Sequence, residues 1–332
     1  TGGYIYDRRL MAELSALGWR VDHIALPGSF PNPPEEDMAD ALAELCAVSE
    51  DTPLIVDGLA FGALDPGRVG QIKAPLVPLV HHPLARESGI SEAESSYFWE
   101  TERQNLAHAT HVLVPSPHTA EVLASDYNVE KSAITVARPG VDRPTLPAVP
   151  ENPPMILSVG IQVPRKGHDV LLHALAQLTD LAWQAKIIGA PMDQTFAAEL
   201  LDLSKALGIT DRVKLLGQVE RAALEAHYSR ASLFALATRY EGYGIVFDEA
   251  LVHGLPIISC AVGAVPGTVP AGTGQLVPPD DPDRFAAALR TLLENPHELK
   301  AAQKASLAAG QMRPSWAETA RLVSHALQRA SL

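Results

Sequence analysis

Residues 232–260 read SLFALATRYEGYGIVFDEALVHGLPIISC, and their pattern sets the architecture. The apolar run 232–237 has the length and composition of a buried strand, as does 256–260. Between them Gly242 and Gly244 free the backbone for a turn, and the apolar stretch from about Ile245 predicts a helix. Strand, helix and strand in that order make a βαβ unit, whose two strands run parallel. The helix opens with N–H groups that no intrahelical carbonyl can pair, and such an end attracts phosphate. Glu241 lies in the turn and Glu249 about one turn inside the helix, so both carboxylates can face one bound ligand.

The alternation extends outward on both sides. Strands over 155–159, 184–188, 213–216 and 274–277 alternate with helices over 169–178, 196–207, 221–229 and 282–293, which predicts a doubly wound α/β domain. Helices then dominate to the end of the chain. The first half repeats the theme, with helices over 4–17, 37–48, 92–108 and 117–127 and strands over 21–25, 54–57, 77–81, 111–115 and 134–137. Between the halves, residues 144–154 carry Pro144, Pro147, Pro150, Pro153 and Pro154, which cannot join a helix and read as an extended interdomain linker. The expected domains are 1–146 and 147–314, with a C-terminal helix over 315–332 that packs back toward the first.

Bulk properties narrow the function classes. A chain of 332 residues with 47% hydrophobic and 20% charged content fits a soluble enzyme of about two domains. Cys46 and Cys260 lie far apart in apolar contexts, which argues against a disulfide framework and for a reducing compartment. No apolar run is long enough to span a bilayer, and the chain does not open with a basic, apolar leader. Cytoplasm is therefore the expected location, with weak peripheral association at the inner membrane face left open. The net charge is −13, and residues 1–150 hold 10 Lys/Arg against 21 Asp/Glu, whereas 151–332 hold 16 against 18. Nucleic-acid binding needs a basic stripe, and anionic lipid needs clustered Lys/Arg at about 1 kcal/mol each, so neither is expected.

Further candidates follow from position. Lys166, in Pro164-Arg165-Lys166-Gly167, follows the strand 155–159 and is carried to its carboxyl edge, where it can neutralise a phosphate leaving group; Arg165 stands beside it. Gly2 and Gly3 precede the helix 4–17 and would let the backbone approach a diphosphate, with Asp7 and Arg8 on the same helix. His81 and His82 end the strand 77–81. Asp281-Pro282-Asp283 formally matches a cation-holding D-x-D pattern, but aspartate before a proline that opens an Ala/Leu-rich helix is a capping arrangement. No bound metal and no resident cofactor are expected. A nicotinamide dehydrogenase is disfavoured because no G-x-G-x-x-G follows a strand.

The spacing from Glu241 to Glu249 resembles the E-x7-E motif of the family 4 glycosyltransferases, and Lys166-Gly167 and Pro139-Gly140-Val141-Asp142 resemble the family's K-G and P-x-G-V-D elements. The resemblance implies a GT-B architecture, with two Rossmann-like domains facing a cleft and C-terminal helices. It implies a retaining, metal-independent transfer of a sugar from a nucleotide diphosphate, a co-substrate rather than a cofactor, to a hydroxyl on a glycan, lipid-linked or small-molecule acceptor. Glu241 would position the donor sugar, Glu249 the ribose and Lys166 the β-phosphate; the turn Gly242, Tyr243, Gly244 and Ile245 would meet phosphate or sugar. His81 would stand against donor sugar and acceptor, with His82 its runner-up, and loops over 85–91 would read the acceptor.

Two departures stand out. The family's V-G-R element has Ile161 in place of its arginine, with Arg165 the nearest substitute. The family's opening strand, expected at the centre of the first sheet, is missing ahead of Gly2-Gly3, so a fragment or a segment ahead of Thr1 is expected, and two neighbouring strands should lack partners. These departures motivate the alternative of a non-catalytic GT-B protein that binds sugar nucleotide or a partner. A nucleotide-sugar 2-epimerase is a lesser alternative.

Overall fold

In the computed structural model, residues 2–87 and 89–330 are described. The chain forms two compact units, one from residues 1–140 and 314–332 and the other from 141–313.

The second unit is built on six parallel strands, β5 (Met155–Val159), β6 (Gln184–Ile188), β7 (Val213–Gly217), β8 (Leu233–Leu236), β9 (Ile257–Cys260) and β10 (Gly274–Val277), in the order β10-β9-β8-β5-β6-β7. Successive residues on a strand point to opposite faces, and both faces are buried here. Ile156, Ile187, Ala235 and Ile258 join one core with the helices His168–Ala176, Gln194–Ala206 and Pro282–Glu294. Leu157, Ile188, Phe234, Leu236 and Ile257 join the opposite core with Phe247, Leu251 and Tyr228 from the helices Ile245–Val252 and Arg221–Arg230. Helices on both faces explain why the central strands β5, β8 and β9 are buried along their whole length. Strand order reverses between β5 and β8, and in open parallel sheets the loops leaving the carboxyl ends at such a point diverge and leave a crevice.

The first unit holds four parallel strands in sequence order, β1 (Leu54–Asp57), β2 (Leu76–Leu79), β3 (Val112–Val114) and β4 (Ile134–Val136). Leu54, Val56, Val80, Val112 and Val114 pack with Met38, Leu42 and Leu45 of the helix Glu35–Cys46. The helices Gly2–Ala16 and Trp316–Ala330 pack on one another, with Tyr6, Leu10 and Leu14 of the first and Trp316, Ala320, Val323 and Leu327 of the last buried. The C-terminal helix is thus part of this unit: Trp19 Nε1 donates to Ser324 Oγ at 2.8 Å and Thr319 Oγ1 to the Arg138 carbonyl at 2.7 Å.

Two expectations need correction. Residues 21–25 form no strand, although Ile24 and Leu26 rest partly buried against the core. Strand conformation is sustained by a hydrogen-bonded neighbour, and among the described residues β1 is an edge strand whose one ladder is to β2. The proline-rich stretch is not a free linker. The chain passes between units at Gly140–Val141, and residues 145–151 lie along the second unit, where Thr145 N and Oγ1 donate to Glu225 Oε1 and the Val149 and Glu151 N–H groups donate to the carbonyls of Ser229 and Arg230. Proline removes donors only at its own positions, so the residues between can dock.

Candidate active site

In the second unit the site is set by the loops after β5 and β8. After β5 the chain makes a short 3-10 turn, Pro164–Lys166, and Gly167 adopts φ +62°. A Cβ on Gly167 would stand 1.9 Å from the Ala237 carbonyl oxygen, so glycine is required for this loop to lie against the one after β8. The contact is fastened by polar groups: Arg239 N donates to the Arg165 carbonyl at 2.8 Å, Thr238 Oγ1 to the same carbonyl at 3.1 Å, and Arg165 Nη1 to the Tyr240 carbonyl at 3.2 Å. Arg239 adds a bidentate pair to Asp169 at 3.0 and 2.8 Å and a bond to Asp280 at 2.7 Å.

This fastening carries Lys166 across to Glu241, with Nζ 2.6 Å from Oε1 and the Glu241 residue only 4% exposed. The Lys166 stem passes the Cα of Gly160, where a Cβ would meet its Cδ at 3.3 Å. Below the loop, His168 Nε2 lies 3.1 Å from the Gly160 carbonyl and its imidazole is pushed down to about 4 by burial, so it stays neutral beside the lysine.

Gly244 caps the helix Ile245–Val252 at φ +83°, and a Cβ there would strike the Phe247 ring at 2.5 Å. The Glu241 carbonyl accepts from Ala264 N at 2.9 Å, which fixes the start of the turn. Tyr243 turns its hydroxyl inward to Asp248, while its backbone stays in the turn. Glu249 lies just over one turn into the helix; it pairs with Arg221 through Oε1 and accepts from the Tyr228 hydroxyl through Oε2 at 3.0 Å. The Arg221 side chain is 55% exposed, so it can release the carboxylate to a ligand. The loops after β5 and β8 thus carry one ammonium, two carboxylates and the opening amides of a helix, groups whose chemistry complements a diphosphate with hydroxyl-bearing groups at its ends. Asp281 accepts from Arg284 N at 2.9 Å, as a helix cap.

In the first unit, a Cβ on Gly3 would lie 3.3 Å from His81 Cδ2. His81 Nε2 stands 3.2 Å from Asp7 Oδ1 and 3.6 Å from Asp57 Oδ2. The Asp57 carboxyl is pushed up, first by burial and then by the neighbouring Asp7 charge, while His81 opposes the shift. Asp7, Asp57 and His81 present ligand atoms within 4.8 Å of one another, so this is where, among the described residues, a cation could be shared. His82 turns away to Glu87, at 2.6 Å. In the 85–91 loop, Ser88 lies outside the described residues.

Comparison with known proteins resolves what this geometry belongs to. Residues 146–309 match the family model "Glycosyl transferases group 1" and residues 58–143 match "Glycosyltransferase Family 4", together about three quarters of the chain. The chain belongs to the family 4 glycosyltransferases. Among curated relatives, a D-inositol 3-phosphate glycosyltransferase of Mycolicibacterium gilvum is 33% identical over 246 residues, covering 67% of this chain and 55% of that protein. The chain thus spans about half the length of the curated relatives it matches. A solved sucrose-phosphate synthase from Thermosynechococcus elongatus superposes with a TM-score of 0.80 at 24% identity, covering 97% of this chain and 91% of that one. HepE from Anabaena, solved with UDP-glucose, gives 0.75 at 19% identity over 90% and 85% of the two chains. The two parallel-sheet units with C-terminal helices are the GT-B fold.

Against this family 4 background, Ile161 at the usual arginine position is half-buried, and the Arg165 guanidinium is spent partly on the Tyr240 carbonyl beside Glu241. Sequence reasoning singled out Lys166, Glu241 and Glu249 but assigned no role to Arg221, Tyr228, Arg239 or Asp57. The last ends a strand, a position where a carboxylate reaches the sheet edge, which is the one signal that pointed to it.

Proposed function

We propose that this chain is the catalytic GT-B portion of a glycosyltransferase that moves a sugar from a nucleotide diphosphate to a hydroxyl acceptor with retention and without a metal ion. The observation that carries the reading is the Lys166–Glu241 pair at 2.6 Å beside the glycine turn and the helix Ile245–Val252. Cleaving an anomeric bond needs the departing diphosphate to be neutralised and the electron-poor sugar to be held. Lys166 and the opening amides serve the first need and Glu241 the second. Glu249 receives the ribose hydroxyls, with Arg221 yielding its place. No carboxylate has to act as nucleophile if the leaving phosphate accepts the acceptor proton on the same face. His81, held by Asp7 and Asp57, is assigned to the acceptor side, with Gly2 and Gly3 at the helix start.

The Anabaena neighbour was solved in complex with UDP-glucose and several mycobacterial relatives are named D-inositol 3-phosphate glycosyltransferase, which supports a uridine donor and leaves the acceptor as a glycan, lipid-linked or small hydroxyl compound. The test is thermal stabilisation by UDP and by GDP, since a ligand that binds only the native state adds about 2.7 kcal/mol at 100 times its Kd. Stabilisation lost in Glu249→Ala, followed by donor turnover that survives EDTA and gives a product of unchanged anomeric configuration by NMR, supports the proposal. Absence of a shift with either nucleotide favours the second reading, a non-catalytic GT-B protein, for which Ile161 is the specific observation.

A further inference from the structure

Behind the glycine turn runs a closed ring of buried polar groups. The Tyr243 hydroxyl donates to Asp248 Oδ2. Asp248 Oδ1 pairs with Arg313 Nε at 2.8 Å. Arg313 Nη2 donates to the Thr268 carbonyl at 2.5 Å, and Thr268 Oγ1 returns to the Tyr243 carbonyl at 3.0 Å. Asp248 is 0% exposed and Arg313 8%. The ring therefore starts and ends on the residue between the two glycines of the turn, and it joins segments 70 positions apart, from 243 to 313.

Stability alone does not account for it. Two charges taken out of water cost several kcal/mol each, and well-packed apolar side chains of similar volume commonly hold a fold as well or better. What the ring supplies is direction: the Tyr243–Asp248, Arg313–Thr268 and Thr268–Tyr243 links are hydrogen bonds with fixed lines, and the Asp248–Arg313 charge contact joins them, which restricts the turn. The turn needs such help because Gly242 and Gly244 give it more backbone freedom than any other residue would. Asp248 and Glu249 are adjacent in one helix, about 100° apart around its axis. One carboxylate therefore faces the interior ring while the next faces Arg221 and Tyr228.

We infer that Tyr243, Asp248, Thr268 and Arg313 are positioning residues that preorganise the amides of the 242–245 turn for a diphosphate; the ligand in this statement rests on the function proposed above. None of the four side chains is assigned a contact with substrate. Tyr243 acts through its hydroxyl on its own backbone, and Arg313 acts from the last position of the second unit.

Tyr243→Phe is the clean probe, because it removes one hydroxyl and leaves the Asp248–Arg313 pair intact. In the full chain, amide exchange in peptides covering 241–247 should quicken about tenfold, the scale of one hydrogen bond to a charged group. UDP affinity, and kcat with a UDP-sugar if the donor is turned over, should fall by a similar factor while the melting temperature without nucleotide changes little. Ser306→Ala removes another buried hydroxyl bond, to the Thr273 carbonyl at 3.2 Å, and should leave the turn and UDP binding unchanged. Unchanged exchange over 241–247 in Tyr243→Phe overturns the inference, as does an equal effect from Ser306→Ala. Faster exchange in a protein that binds neither UDP nor GDP supports the positioning ring and overturns the nucleotide reading.

Discussion

Under the proposed function, Lys166 joins the leaving-group chemistry and part of the local stability in one side chain. Lys166→Ala should abolish most nucleotide stabilisation and lower turnover by about 100-fold or more, the range for removing a preorganised charge at a leaving group. It should also lower the melting temperature, because Glu241, 4% exposed, is left without its ammonium partner, and removing one member of a buried pair costs about 3–5 kcal/mol. Glu241→Gln paired with Lys166→Met separates the two effects: the double variant removes the unpaired charge, so stability should recover while turnover does not. Gly167→Ala acts on the same lysine without touching its charge. A methyl group 1.9 Å from the Ala237 carbonyl at φ +62° forces the Pro164–Lys166 turn off its neighbour. Loss of at least about 1–3 kcal/mol in a urea titration is expected, with donor binding lost before the fold. A Gly167→Ala protein of unchanged stability would show that the two loops are not held as closely as described.

At the scale of elements, the helix Glu92–Leu106 carries a carboxyl into the first unit's interior. Glu102 accepts from Leu84 N at 3.1 Å and from the Tyr127 hydroxyl, and burial pushes its carboxyl up from 4.5 to about 8. Between those two values the native chain holds a proton that the unfolded chain has released. The contribution of this protonated carboxyl to the first unit's stability is therefore fully present below about pH 4.5 and is lost as pH rises toward 8. Urea midpoints of the wild type should fall across this window, and Glu102→Gln should flatten the dependence; a slope that survives in Glu102→Gln assigns it elsewhere. Leu84 follows the His81-His82-Pro83 segment by one residue, so the same titration should loosen the 84–86 turn. The sequence marks this glutamate only by its position, four residues from Phe98 and four from Leu106, which sets it on the buried face of the helix. The Leu84–Arg86 turn packs over that face, and Gly62 and Tyr127 also lie against the carboxyl.

For the whole molecule, the division into two units with separate cores gives a spatial prediction. UDP should slow amide exchange within 141–313, most of all over 160–168 and 238–249, and leave the slowest amides of β1 to β4 unchanged. Protection confined to the first unit would move the nucleotide site there. The charge excess acts at this scale too. With a net charge of −13 the chain should sediment no better with anionic vesicles than with neutral ones at low salt. Among the described residues no helix is long and apolar enough to cross a membrane.

What the sequence determined by itself was local. The period of apolar residues, the placing of glycine and proline, and the eight-position step from Glu241 to Glu249 are properties of short stretches, and all six strands of the second sheet were legible from them. The tertiary structure decided what depends on neighbours distant along the chain. Lys166 and Glu241, 75 positions apart, meet because β5 and β8 are adjacent in the sheet, and strand order is set by packing and pairing of whole elements. The strand foreseen over 21–25 is absent for the same reason, since a strand conformation persists only with a neighbour to receive its hydrogen bonds. Arg221 on Glu249, Asp57 by His81 and Arg313 on Asp248 are likewise decisions of three-dimensional proximity, in which burial raises the strength of a charge interaction that neither residue reveals alone.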